Sequence, residues 1–277
     1  MEIRELLEQT DKLPNVPEVV RQLIQQLNNP AADYGEIAEK VAQDQTLSLK
    51  ILRLVNSAHF GLSRKVSSID EAVVMLGMVR LKTLVIASGI AGSVKEIEGL
   101  DLKKFWSESF RVAALSKWFA ERDTEVDPDI AFTAGLIHNI GRLLLHLSQP
   151  MRAQAIQTLI DESNCNCSRS DAEMERLGFT SPEAGQALLD MWSFPAELGI
   201  AVRQHKQPTS FEEPSSLAAV VNLACVVNSA IRNKENLESL QGNFPQDVAT
   251  LAGVSADTFG DLEEALNLDS GLDGLAD

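Results

Sequence analysis

Apolar residues recur along this chain at spacings of three and four, the repeat of a helix with one buried face. Nothing alternates with period two over a useful length, so no sheet is expected. Leu13-Pro-Asn-Val-Pro17 punctuates the approach to a helix striped by Val19, Val20, Leu23, Ile24 and Leu27, which Asn28-Asn-Pro30 stops. The pattern then predicts helices over Tyr34–Ala42 and from Asp44, as N-cap, through Val55. Ser68, with Glu71 in capping-box register, starts another that ends at Leu76-Gly77, and Val79–Gly89 begins the next. After a glycine-dotted connection at Gly89–Gly99, helices are expected from Phe105 through Phe119, then at Ala153–Glu162, Ser181–Trp192, Ala196–His205 and Ser215–Ile231. The fold class is therefore all-α: an N-terminal helical bundle (1–99) packed on a second helical bundle (100–235), followed by a C-terminal helix and acidic tail (236–277).

The stretch Ala131–Leu147, AFTAGLIHNIGRLLLHL, breaks the one-sided rule. Phe132, Leu136, Ile137, Ile140, Leu143, Leu144, Leu145 and Leu147 fall on all sides, which predicts a single helix buried all round. His138 and Asn139 sit in its middle, with Gly135 and Gly141 each three residues from the histidine. Those glycines clear room for other backbone or for a ligand. Polar groups at such a place need partners, expected here from neighbouring helices. Two readings stand side by side, a hydrogen-bonded core histidine and a ligand site.

Composition narrows the function classes. The 277 residues are 44% apolar, and no apolar run is expected to reach the ~18 residues that a membrane span needs. MEIRELLEQT does not read as a signal peptide, and three cysteines do not make a disulfide framework, so a cytoplasmic protein is expected. Cys165 and Cys167 lack the second pair that a structural zinc site uses. A net charge of -16 disfavours nucleic acid and anionic lipid as partners. Against that background, Lys50, Arg53, Arg64, Lys65, Arg80 and Lys82 face only Asp70 and Glu71 within their segment. They are read as a solvated face or as a docking patch for an acidic partner or nucleotide. The seven acids between Ser255 and Asp277, on a segment where Phe259, Leu262, Ala265 and Leu266 keep helical spacing, could cover that patch.

Two family resemblances add to this. Gly135-Leu-Ile-His-Asn-Ile-Gly141 resembles the GLLHDIG phrase of the HD superfamily of metal-dependent phosphohydrolases, with asparagine at the place of the doublet's aspartate. LPNVPEVV, from Leu13, and DQTLSLKILRLVNSAHFGLSRKVSSIDEAVVMLGMVRLKTLV, from Asp44, are similar to the HDOD domain of bacterial signalling proteins. The family wording is LP-x-LP, DP-x-L, LL-x-L-x-NSA-x-FG and I-x-S-x-x-x-AI-x-x-LG, in that order. The match is close over Leu13–Gly89 and looser to about Arg232, and Gln45 stands where the family usually has proline. The resemblance implies an HD-like second bundle.

Carried over position by position, the HD pattern's first histidine falls at Glu108, its doublet on His138 and Asn139, a further histidine near Ser181, and its late aspartate on Cys225. His205 keeps its identity. Both carboxylates of the pattern are absent, and a neutral amide supplies none of the charge that holds a divalent cation. The resemblance therefore implies a degenerate site, a pseudoenzyme with no metal or other cofactor. Its function would be that of a non-catalytic regulatory or scaffold module whose partners are other signalling proteins. The alternative is a metal-dependent phosphohydrolase acting on a nucleotide or phosphate ester, with Glu108, His138, His205 and Cys225 holding a divalent metal such as zinc.

Overall fold

The computed structural model describes residues 3–7, 33–43, 45–56, 65–77, 81, 85, 97, 99–122, 124–162 and 168–268. Among these residues the fold is all-α, and extended pairing is confined to an isolated bridge between Ile97 and Leu100. The chain divides into two compact units, one from Asp11 to Ser107 and the other from Glu108 to Ser270 together with the N-terminal residues.

In the first unit, α2 (Tyr34–Ala42) is capped by Asp33, whose carboxylate accepts the Gly35 N–H, and packs on α3 (Gln45–Val55). The predicted stripes are the buried ones: Ile37, Ala38 and Val41 from α2, and Leu47, Ile51 and Val55 from α3. α4 spans residues 69–77, with Ser68 Oγ accepting the Glu71 N–H at 3.2 Å, one half of the expected capping box. Asn56, the first residue of the NSA phrase, joins the end of α3 to the backbone of Val66. Its amide donates to Leu52 O and Val66 O, and its Oδ1 accepts the Val66 N–H at 2.7 Å. A side chain that both donates to and accepts from one backbone unit replaces a turn of regular structure. The predicted helix of Val19–Leu27 and the rest of the NSA-x-FG phrase lie outside the described residues.

The second unit begins with α1 (Ile3–Leu7), which sets Leu6 into its core, and with α5 (Leu102–Ala120) from Glu108 onward. α6 (Pro128–Ile137), α7 (Ile140–Ser148), α8 (Pro150–Glu162), α9 (Arg169–Leu177), α10 (Ser181–Met191), α11 (Ala196–Gln204) and α12 (Ser216–Asn233) follow. Their ends obey local chemistry: Asp127 caps α6 ahead of Pro128, and Ser168 and Thr180 form capping boxes with Asp171 and Glu183. α10 packs on both α7 and α11, and α12 crosses α6 and α11.

The single helix expected over Ala131–Leu147 is in fact two. His138 turns its ring back to the Gly135 carbonyl, which a continuous helix would give to the backbone N–H four residues on. The chain bends at His138–Asn139, and α7 restarts with Asn139 as N-cap, its side chain making no capping bond. His138 thus finds its partner within its own turn and not on a neighbouring helix. The glycines behave as expected. A Cβ at Gly135 would lie 2.7 Å from Ala113 Cα, so α6 can approach α5 only without one.

One further expectation changes. Pro128–Ser148 and Ser216–Asn233 are long and apolar enough to cross a membrane by length and composition. The first, 78% buried, is the pair α6–α7 interrupted at residue 138; the second, 56% buried, is the core helix α12. The segment after 235 is part of the second unit through Ser270. α13 (Leu237–Gly242), α14 (Gln246–Ala252), α15 (Ala256–Gly260) and α16 (Leu262–Leu266) follow, and Leu240, Val248, Ala249, Leu262 and Ala265 are buried together with Phe244 between α13 and α14. Arg122 secures this end: its guanidinium lies 3.9 Å over the Trp118 ring and pairs with Asp261 at 3.6 Å and Glu264 at 2.8 Å. Two of the seven late acids are therefore engaged by Arg122, while residues 269–277 lie outside the described residues.

Candidate functional site

The break between α6 and α7 places His138 against His205, the C-cap of α11, with ring centroids 5.3 Å apart and planes at 86°. Both rings are buried, at 4% and 1% exposure. Each is oriented the same way, because Nδ1 meets the carbonyl three residues earlier: Gly135 O at 2.6 Å and Val202 O at 2.7 Å. A neutral imidazole that donates from Nδ1 presents Nε2 as an acceptor. Burial, then the charge of Lys206, pushes His138 down to about 3 and His205 well below its ordinary value. Both are neutral at physiological pH. Asn222 Nδ2 donates to His205 O at 2.7 Å and pins the end of α11 to α12.

The other carried-over positions have partners of their own. Glu108 on α5 reaches Arg232 on α12 at 3.8 Å. Ser181 opens α10 with its N–H and hydroxyl both donated to Glu173 Oε2, at 2.6 and 2.8 Å. Its carbonyl lies so close to Gly141 that a Cβ there would stand 1.9 Å away. Cys225, half-buried on α12, has its thiol pushed up by burial, and the charges of Lys206 and Glu108 both reach it. Asn139 remains at the rim of the bend.

Cations that the sequence reading did not single out stand among them. Arg142, one turn after His138, donates to Gln157 Oε1 at 3.3 Å, and Arg169 donates to the same oxygen. Arg169 also lies 3.7 Å from the buried Glu173. Burial and then the Arg169 charge push Arg142 down to about 10, and the charge of Arg232 acts in the same direction. Arg142 left a signal in the sequence as the lone charge in an apolar stretch, and Lys206 follows His205 directly. Arg169 and Gln157 left none, because they arrive from α9 and α8.

These residues do not fit a metal centre. Among the described residues no three His, Cys, Asp or Glu side chains gather closely enough to share an ion. Glu108 is paired with an arginine, burial favours the neutral form of the Cys225 thiol, and the nearby cations repel a further cation. Of the proposed anionic-partner patch, Arg53 and Lys65 are exposed in the first unit, whereas Arg64, Arg80, Lys82 and the Lys50 side chain lie outside what is described.

An all-α domain with a histidine doublet position at the break of two buried helices, and a second buried histidine facing it, has the arrangement of an HD-like domain. The chain belongs to the HDOD domain family, which it matches over residues 13–208. An uncharacterized protein of Treponema pallidum is 28% identical over 79% of this chain and 42% of its own length. The cyclic di-GMP phosphodiesterase CdgJ of Vibrio cholerae is 36% identical over 31% of this chain and 21% of its own. The chain spans less than half the length of these curated relatives. A crystal structure from Shewanella amazonensis, provisionally described as a phosphohydrolase, superposes with a TM-score of 0.74 at 32% identity, covering 98% of this chain and 96% of that one.

Proposed function

We propose that this chain is a non-catalytic regulatory or scaffold module in bacterial signal transduction, acting through contacts with other signalling proteins. The observation that carries the reading is electrostatic. Hydrolysis by the HD pattern needs carboxylates to hold a divalent cation and balance a hydroxide nucleophile. Here the pattern's positions carry Asn139, Ser181 and Cys225, while Lys206 directs positive charge at both imidazoles and Arg142 at His138. The name of the Vibrio relative supports the signalling context. The description of the Shewanella protein supports the second reading, a metal-dependent phosphohydrolase.

One experiment separates them. The full chain, purified without chelator, is analysed for metal and assayed against bis(p-nitrophenyl) phosphate and cyclic di-GMP with added Mn²⁺ or Zn²⁺. No stoichiometric metal and no metal-stimulated turnover are expected. Metal-stimulated turnover that disappears in His138→Ala would overturn the non-catalytic reading.

A further inference from the structure

The helices α15 and α16 lie beyond the family match at residues 13–208, and each is five residues long. Helices this short do not persist on their own, so packing must hold them. Neither begins with a side-chain capping bond. α16 packs on α12 and α13, with Leu262 and Ala265 buried. Ahead of it, Phe259 stands edge-on to Phe244 with ring centroids 4.9 Å apart, and Phe244 lies 6.3 Å from Phe119 of α5. The Gln241 amide donates to Phe259 O at 3.0 Å. Residues 255–268 thus form a strap whose inner face is Phe259, Leu262 and Ala265, laid on Phe244, α12 and α13.

The strap's outer edge carries charge. Asp261 and Glu264, one turn apart and both more than half exposed, reach Arg122 at 3.6 and 2.8 Å. Arg122 does not depend on them for its place, because it donates to Trp118 O at 3.1 Å and stacks on the Trp118 ring. The cation therefore belongs to the surface under the strap and stays there when the strap leaves. Exposed ion pairs are weak and are screened by salt, so the strap sits at the low end of the stability range within its unit. Its sequence, Asp261-Leu262-Glu263-Glu264-Ala265, states what this surface accepts. A helix with carboxylates at i and i+3 and apolar residues at i+1 and i+4 makes the same contacts.

We infer that residues 255–268 are an autoinhibitory strap, filling a docking groove that an acidic amphipathic helix of a partner protein takes in its place, with Arg122 reading the pair of carboxylates. The inference rests on the regulatory reading and deepens it by naming the chemistry of the partner. The strap competes from the same chain at high effective concentration. The groove therefore stays closed until a partner helix offers more contacts than two five-residue helices make.

A labelled peptide with the strap's own sequence, residues 255–268, tests this by titration into the full chain and into a full-length Leu262→Asp, Ala265→Asp double variant, whose own strap cannot dock. Saturable binding to the opened variant is expected, roughly tenfold or more tighter than to wild type, where the tethered strap competes. Adding Arg122→Gln to the opened variant, or Asp261→Asn with Glu264→Gln to the peptide, weakens binding roughly fivefold, the scale of exposed ion pairs. No saturable binding to the opened variant, or equal affinity for it and for wild type, overturns the strap. Affinity that both neutralisations leave intact overturns the role given to Arg122. Wild type supplies a readout that needs no variant to fold: excess unlabelled peptide speeds proteolysis after Val254, and an unchanged rate overturns displacement. Metal-stimulated turnover in the phosphodiester assay would sink the non-catalytic reading and leave the strap standing.

Discussion

Replacing Gly141 with alanine tests the architecture of the site at its tightest point. A Cβ at this position would stand 1.9 Å from Ser181 O, 2.6 Å from Gly185 N and 2.9 Å from Ser181 C. All three are backbone atoms in the first turns of α10, so no side chain can swing aside. Carbon and carbonyl oxygen approach to about 3.3 Å at the closest, which means α7 and α10 must part by more than about 1 Å. A gap of that size forfeits a quarter to a half of the dispersion energy across the contact. Overpacking in a rigid core costs about 1–3 kcal/mol, and this contact lies at the upper end, at about 3 kcal/mol. For a unit of this size that is a fall of roughly 6–12 °C in Tm. Gly242→Ala is the control: the residue ends α13 with nothing within 4 Å of the place its new methyl would take, and alanine there is neutral or stabilises by up to about 1 kcal/mol. Urea unfolding followed by the fluorescence of the three tryptophans, Trp106, Trp118 and Trp192, reads both variants. If Gly141→Ala unfolds within about 1 kcal/mol of wild type, the close crossing of α7 and α10 is wrong.

Three other outcomes follow from the same geometry. His138→Ala removes a buried ring packed on His205 and should cost about 1–3 kcal/mol, so a variant with wild-type thermal unfolding would refute the burial of that ring. Stability should fall as pH drops below about 6.5, where the unfolded chain protonates its histidines while folded His138 resists down to about 3 and His205 also stays neutral; each contributes about 1.4 kcal/mol per pH unit, and urea midpoints that stay level from pH 7 to 5 would contradict this. Arg122→Ala should cost only about 1 kcal/mol, because its ion pairs are exposed, yet it should speed proteolysis after Val254; unchanged cleavage would show that Arg122 does not secure the C-terminal helices.

Helix existence and ends were readable wherever a local rule governs them. Tyr34–Ala42 is helical as its stripe predicts, and Ser68 accepts the Glu71 N–H as the sequence suggests. The break at His138–Asn139 was not readable, since the apolar pattern runs through it and the cause is a ring-to-carbonyl bond that no periodicity encodes. The docking of α13 to α16 was only half visible, because Phe259, Leu262 and Ala265 mark an apolar face without saying what it covers. For the site, the family wording led to Glu108, His138, Ser181, His205 and Cys225, of which the structure sets His138 ring to ring with His205. Charge was the part that stayed hidden. Arg169 and Arg232 are far from the doublet in sequence and ordinary in their local context; only the fold brings their charges to bear on Arg142.

That charge explains why the departures from the HD pattern belong together. A divalent ion roughly 6 Å from one guanidinium is disfavoured by about 5 kcal/mol at an effective dielectric of ~20, and carboxylate ligands normally offset such a term. A chain that keeps an arginine next to the doublet but has asparagine and cysteine at the carboxylate positions offsets it only with Glu108 and Glu173, which also lie against Arg232 and Arg169. Restoring a single carboxylate, as in Asn139→Asp, would still leave a cation facing Arg142 and Lys206, with Glu108 already drawn to Arg232. The same surroundings favour an anion without any further change.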